Sequence, residues 1–221
     1  MVSLNEAVVC FGTAVIITAF IVSLIYSKKN KGYMKGFFIV ILISLTLSIN
    51  TIFNTFFRIY DLKLNYFIQS ILLLADLLFW TYFFLKLLDD KKNNILIKIL
   101  SAISILFSIW LLYYNSTDKS NLQILVVLNV CKTIFCILFY RTLFKNLTSQ
   151  NILSESAFWI VNGLIFYSSL SLPFYGLNHY IRLQFSTSLS NNIFSISNML
   201  ITIMYLFFIK AYLCKIHLHK A

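Results

Sequence analysis

At 221 residues, 60% hydrophobic and only 11% charged, the chain carries less than half the charge of a soluble domain, where about a quarter of residues are charged. Its net charge of +11 invites a nucleic-acid reading. That reading fails because the basic residues sit in short stretches between apolar runs, where they set membrane topology and meet anionic lipid headgroups; composition therefore excludes a soluble enzyme domain and a nucleic-acid binder.

Seven apolar stretches predict helices at about 6–27, 36–57, 65–88, 95–114, 121–144, 156–175 and 192–213. Each is roughly twenty residues, the length an α-helix rising about 1.5 Å per residue needs to cross a hydrocarbon core of about 30 Å. The expectation is an all-α, polytopic integral membrane protein. It is a seven-transmembrane-helix bundle forming a single transmembrane domain over 1–221, surrounded by membrane lipids.

In chain order, Met1 to Glu6 has no basic side chain, and the apolar run through Tyr26 is too long for the core of a cleaved signal peptide. Lys28, Lys29, Lys31 and Lys35 follow that run. The second segment carries Thr46, Asn50 and Asn54 at four-residue spacing, one stripe of a helix. The third places Gln69, Asp76 and Trp80 on one face and is followed by Lys86, Lys91, Lys92 and Lys98. The fifth holds Asn129 beside Lys132 and ends on Arg141 and Lys145. The sixth offers Tyr167, Ser171 and Pro173; the seventh offers Ser195, Asn198 and Thr202 before Lys210, Lys215 and Lys220. Assigning basic residues to alternate sides leaves only Arg58, Lys63, Lys119 and Arg182 opposite this set. That imbalance predicts the N-terminus outside and the C-terminus cytoplasmic, as in a multi-pass protein of a bacterial inner membrane.

Asp76 and Lys132 are the candidates for chemistry. Each lies about eleven residues from the predicted outer end of its helix, roughly 16 Å deep at about 1.5 Å per residue. Each costs about 2.5–3.5 kcal/mol to place there, so neither should face lipid. Equal depth and opposite sign predict a pair, read either as a structural bridge or as a ligand or coupling site. Gln69, Trp80, Asn50, Asn54, Asn129, Tyr167 and Asn198 are the further candidates for an outward-opening polar pocket, against the alternative of simple interhelical hydrogen bonds. Pro173 is the candidate hinge, with the serines before it placed to satisfy the carbonyl that proline leaves unpaired. The scarcity of breakers, with Gly 5 and Pro 1, weighs against a rocking transporter built from interrupted helices.

Several readings fail. A retinal lysine is missing from the middle of the seventh segment, where only Lys210 near its end is available. No zinc-protease, nucleophile-elbow or phosphate-loop pattern occurs. Cys10, Cys131, Cys136 and Cys214 form no disulfide framework, and Cys131 and Cys136 fall on different helix faces. No metal, no cofactor and no enzymatic activity are expected.

The stretch Ser156-Ala157-Phe158-Trp159-Ile160-Val161-Asn162-Gly163-Leu164-Ile165-Phe166-Tyr167-Ser168 resembles a segment of small seven-helix integral membrane proteins of Bacteroidota. Asn191-Asn192-Ile193 with a later Tyr205, and the Leu-rich third segment, are similar as well. Gln69 and Ser70 stand where those relatives tend to carry a glutamate. The resemblance implies association with a sensor histidine kinase. The resulting expectation is a receptor-like sensor or scaffold subunit with a membrane protein partner. The alternatives are a small-solute transporter coupled through the same pair, or an accessory subunit of a larger membrane complex.

Overall fold

A computed structural model describes residues 4–27, 37–48, 62–88, 90–114, 118–145, 152–177, 180–181, 184 and 187–217. Among them are seven α-helices: α1 (Leu4–Ser27), α2 (Phe37–Ser48), α3 (Leu62–Leu87), α4 (Lys91–Tyr114), α5 (Asp118–Lys145), α6 (Ser156–Gly176) and α7 (Thr187–His217). A single 3-10 turn, Ile152–Ser154, precedes α6. All but α2 contain a segment long and apolar enough to cross a membrane, which makes the chain an all-helical, multi-pass membrane protein by length and composition. Asn50, Asn54 and the basic residues Lys28, Lys29, Lys31, Lys35, Arg58, Arg182 and Lys220 lie outside the described residues.

The helices exceed the predicted apolar windows at several ends. Helix α4 starts at Lys91 rather than 95, because Asp90 caps it: the Lys92 amide donates to Asp90 Oδ1 at 3.1 Å and the Asn94 amide to the Asp90 carbonyl at 2.9 Å. Hydropathy marks where a helix meets water; capping decides where it begins.

Helix α7 packs along α1 on one side and α6 on the other, α6 continues onto α5, and α5 joins α3. Helix α2 enters between α3 and α7, since Phe37 touches Phe79, Trp80 and Phe83 on α3 and Phe208 and Tyr212 on α7. Helix α4 packs on the outside of this ring, against α3 and α5.

The polarity of α4 is reversed relative to a helix in water. Its buried face is Asn93, Ile97, Ser101, Ser104, Ser108 and Leu111; its exposed face includes Ile95, Ile99, Ile103, Leu106 and Trp110. Lipid is as apolar as leucine, so burial of apolar surface gives α4 no reason to dock, and small residues that permit close approach take that role. Ser101 Oγ meets Thr81 Oγ1 at 2.8 Å, Ser104 Oγ meets Cys131 Sγ at 2.7 Å, and Asn93 Nδ2 donates to Thr142 Oγ1 at 3.1 Å. Each such bond contributes about 0.6 kcal/mol.

Helix α6 is held to α5 by a similar ladder. Asn129 Nδ2 donates to Ser171 Oγ at 3.0 Å, Thr133 Oγ1 to Ser168 Oγ at 2.9 Å, and Tyr140 Oη to Asn162 Oδ1 at 2.7 Å. At the end where α5 stops and α7 finishes, Trp159 Nε1 donates to the Leu153 carbonyl at 2.8 Å and Lys210 Nζ lies 5.8 Å from the Trp159 ring. Lys86, Lys91, Lys92, Arg141 and Lys145 are exposed at this same end.

Close packing of α6 on α7 is set by Gly163, where an added Cβ would stand 2.8 Å from Phe207 Cβ and 3.1 Å from the Met204 carbonyl oxygen. Gly176, with nothing within 4 Å, is the internal control. Gly163→Ala is expected to lower thermal stability in detergent by about 1–3 kcal/mol through overpacking, and Gly176→Ala to leave the melting temperature unchanged. Equal melting curves for the two variants would contradict this packing.

Candidate functional site

Asp76 on α3 and Lys132 on α5 sit at equal distances from the starts of their helices, and both are buried. Lys132 Nζ donates to Asp76 Oδ2 at 2.5 Å. Asp76 Oδ1 accepts from Trp80 Nε1 one turn further along α3, at 3.0 Å. The predicted spacing of four thus places the indole to hold the carboxylate while the lysine neutralises it. Both carboxylate oxygens are engaged, whereas the ammonium has spent one of its three donors.

The pair lies on the wall of a cavity of about 110 Å³, together with Trp80, Tyr167, Tyr205, Ser44 and Ser48. A second cavity, about 130 Å³, is lined by Val8, Val9, Gly12, Thr13 and Asn198. Ile16, Leu47, Ser48 and Ile201 line both. The two therefore adjoin, the second lying nearer the start of α1 and the first holding Asp76 and Lys132.

Beyond the pair, toward the basic end, packing is aromatic. Phe37, Phe83, Phe84, Phe135 and Phe208 are fully buried, with ring centroids 5.0 Å apart for Phe37 and Phe208, 5.4 Å for Phe83 and Phe84, and 5.6 Å for Phe84 and Phe135. Trp80 belongs to both halves. Its N–H faces Asp76, and its ring meets Phe37 edge-on at 5.9 Å and Phe83 at 5.5 Å. The ion pair marks the boundary between a half with mainly apolar-walled cavities carrying a few polar groups and an aromatic half.

The structure brings Asp76, Lys132, Trp80 and Tyr167 to one cavity and Asn198 to the adjoining one. Two other candidates are used elsewhere. Gln69 bonds Asn121 across α3 and α5, with Asn121 Nδ2 3.4 Å from Gln69 Oε1 and Ser70 donating to Asn121 Oδ1. Asn129 turns to Ser171 on α6. On α2, Thr46 is exposed with its hydroxyl on its own Leu42 carbonyl at 2.9 Å, and Ser44 and Ser48 face the cavity, while Asn50 and Asn54 lie outside the described residues. A threonine satisfied by its own helix can face lipid without an unpaired group. The spacing of Ser44 and Ser48 carried the signal that sequence reasoning passed over; Tyr205, in an apolar run, gave none.

Helix α6 continues through Pro173 to Gly176, so Pro173 lies in its last turn and the Leu177 amide closes onto the Pro173 carbonyl at 3.0 Å. The preceding serines bond earlier carbonyls than expected: Ser169 donates to Ile165 at 2.6 Å and Ser171 to Ser168 at 3.3 Å. A hinge here has only the end of the helix to move. Among the described residues, no group of three or more His, Cys, Asp or Glu converges as a metal site.

Removing one partner of a buried pair strands a charge, while removing both does not. Asp76→Leu and Lys132→Met are each expected to cost about 3–5 kcal/mol of stability. The double variant should cost much less than their sum, as read by thermal unfolding in detergent. Additive losses would show that the two charges do not interact.

Comparison of the chain with family models, with curated proteins and with solved structures found no match.

Proposed function

We propose that this chain is a receptor-like, non-enzymatic multi-pass membrane protein. In this reading a ligand entering the cavity-bearing half of the bundle acts on the Asp76–Lys132 pair, and the consequence reaches a partner through the helix ends. The observation that carries the reading is the dead end. Two adjoining cavities extend from the pair toward the start of α1, and the described side chains beyond it form an aromatic layer. A transporter must expose its site to both sides by moving helices past one another. Here α3 and α5 are tied through the ion pair, α5 and α6 through three side-chain bonds, and the one helix-internal proline lies in a last turn.

The exposed lysines and arginines at the aromatic end support placing that end, with the C-terminus, on the cytoplasmic side of a bacterial inner membrane. The cavities and the N-terminus then face outward. A membrane protein partner fits this arrangement, and the resemblance of the Ser156–Ser168 stretch makes a sensor histidine kinase the candidate. The adjoining cavities also support a second reading, a small-solute transporter coupled through the same pair.

Asp76→Asn with Lys132→Met removes both charges and keeps the volumes close. Under the receptor reading the double variant assembles in the membrane, retains its partner in a mild-detergent pull-down and loses its response, while the wild-type protein in liposomes passes no solute above empty vesicles. A wild-type response from the double variant would remove the pair from the function. Solute flux in liposomes would replace the receptor reading with the transporter.

A further inference from the structure

The costlier unmade hydrogen bonds around the ion pair are donors. Asp76 accepts one bond on each oxygen, from Lys132 and from Trp80, and an under-filled carboxylate oxygen is better tolerated than an idle N–H. Lys132, 4% exposed, meets Asp76 alone among the described residues and keeps two donors. Tyr205, 1% exposed on the same cavity wall, sets its hydroxyl near Ser44 without closing a full hydrogen bond. Buried donors without acceptors are costly, so the complementary occupant is an acceptor.

Charge narrows the class further. The pair is already neutral, so an anion entering beside it leaves one uncompensated negative charge in a dry interior, and a cation meets Lys132 directly. Size sets the remaining limit. A cavity of about 110 Å³ matches roughly three to four waters at about 30 Å³ each and falls well below the roughly 300 Å³ at which drug-sized ligands begin to fit. That volume suits a solute of a few heavy atoms.

Resting on the receptor reading above, we propose that this cavity binds a small neutral solute carrying a hydrogen-bond acceptor, such as a carbonyl oxygen. The solute enters through the adjoining cavity, past Ile16, Leu47 and Ile201, and displaces resident water. Its acceptor takes one spare donor of Lys132 and the hydroxyl of Tyr205. By drawing the ammonium toward itself it weakens the contact with Asp76 and loosens the link between α3 and α5.

Trp80, hydrogen-bonded to Asp76 on the cavity wall, is the reporter. Trp110→Phe with Trp159→Phe leaves it as the single tryptophan. The experiment titrates this full-length protein in detergent with acetamide, and separately with sodium bromide and with tetramethylammonium sulfate. Acetamide is expected to change Trp80 emission saturably with half-saturation in the millimolar range, as suits so small a ligand. Neither salt should saturate. Tyr205→Phe should raise the half-saturation several-fold, and Asp76→Asn with Lys132→Met at least tenfold, each variant first shown monodisperse.

A strictly linear acetamide response, a saturation unmoved by both variants, or saturation by bromide instead would overturn the proposal. Failure here, with the double variant still silencing the cellular response, leaves the receptor reading intact. Binding as expected, with no cellular response depending on the pair, leaves this site and removes the receptor.

Discussion

A charge in hydrocarbon must find its opposite, and in this bundle one contact answers that demand. Asp76 and Lys132 each carry an insertion cost of about 2.5–3.5 kcal/mol at the bilayer centre, and each removes the other's isolation at 2.5 Å. The contact fixes the rotation of α3 and α5 about their axes, because turning either helix strands both charges. Trp80 follows from that rotation. With Asp76 facing inward, the indole one turn along faces the same way, its N–H on the carboxylate and its ring on Phe37 and Phe83. The bundle's division into a cavity-bearing half and an aromatic half meets at this residue.

The outer contacts obey a different constraint. Helices surrounded by lipid gain nothing by hiding leucine from it, so α4 turns serines inward and isoleucines outward. Helix α6 approaches α7 through Gly163 and holds α5 through Asn129, Thr133 and Tyr140. Many weak side-chain bonds at small-residue contacts, together with one buried ion pair, give an arrangement suited to responding as a unit.

Much of this was legible in the sequence because membrane physics leaves few choices. Twenty apolar residues announce a spanning helix, and the apolar windows fell within a few residues of most observed ends. Asp76 and Lys132 were readable as partners because depth is a count along a helix and charge does not tolerate lipid. Finer placement was not readable. Thr46, as a threonine, can satisfy its own hydroxyl, so its position in a polar stripe did not bring it to the cavity, which Ser44 and Ser48 line. Gln69 and Asn129 share helices with the ion-pair residues but rotate toward Asn121 and Ser171. Periodicity records which residues share a face; it does not record which neighbour that face meets. The void beside Lys132 depends on the packing of α1, α2, α3, α5, α6 and α7 together, which no local pattern encodes.

The central claim is that the buried pair is reached from one side only. Single cysteines at Ser48, Ser44 and Phe83, placed in a background with the four native cysteines replaced by serine, can be challenged in intact spheroplasts and in inverted vesicles with a charged, membrane-impermeant thiol reagent. The account predicts labelling of Ser48→Cys and, more slowly, of Ser44→Cys from the side where α1 begins, with Phe83→Cys silent from both sides. Labelling of Ser44→Cys from the opposite side, or of Phe83→Cys from either, would contradict it.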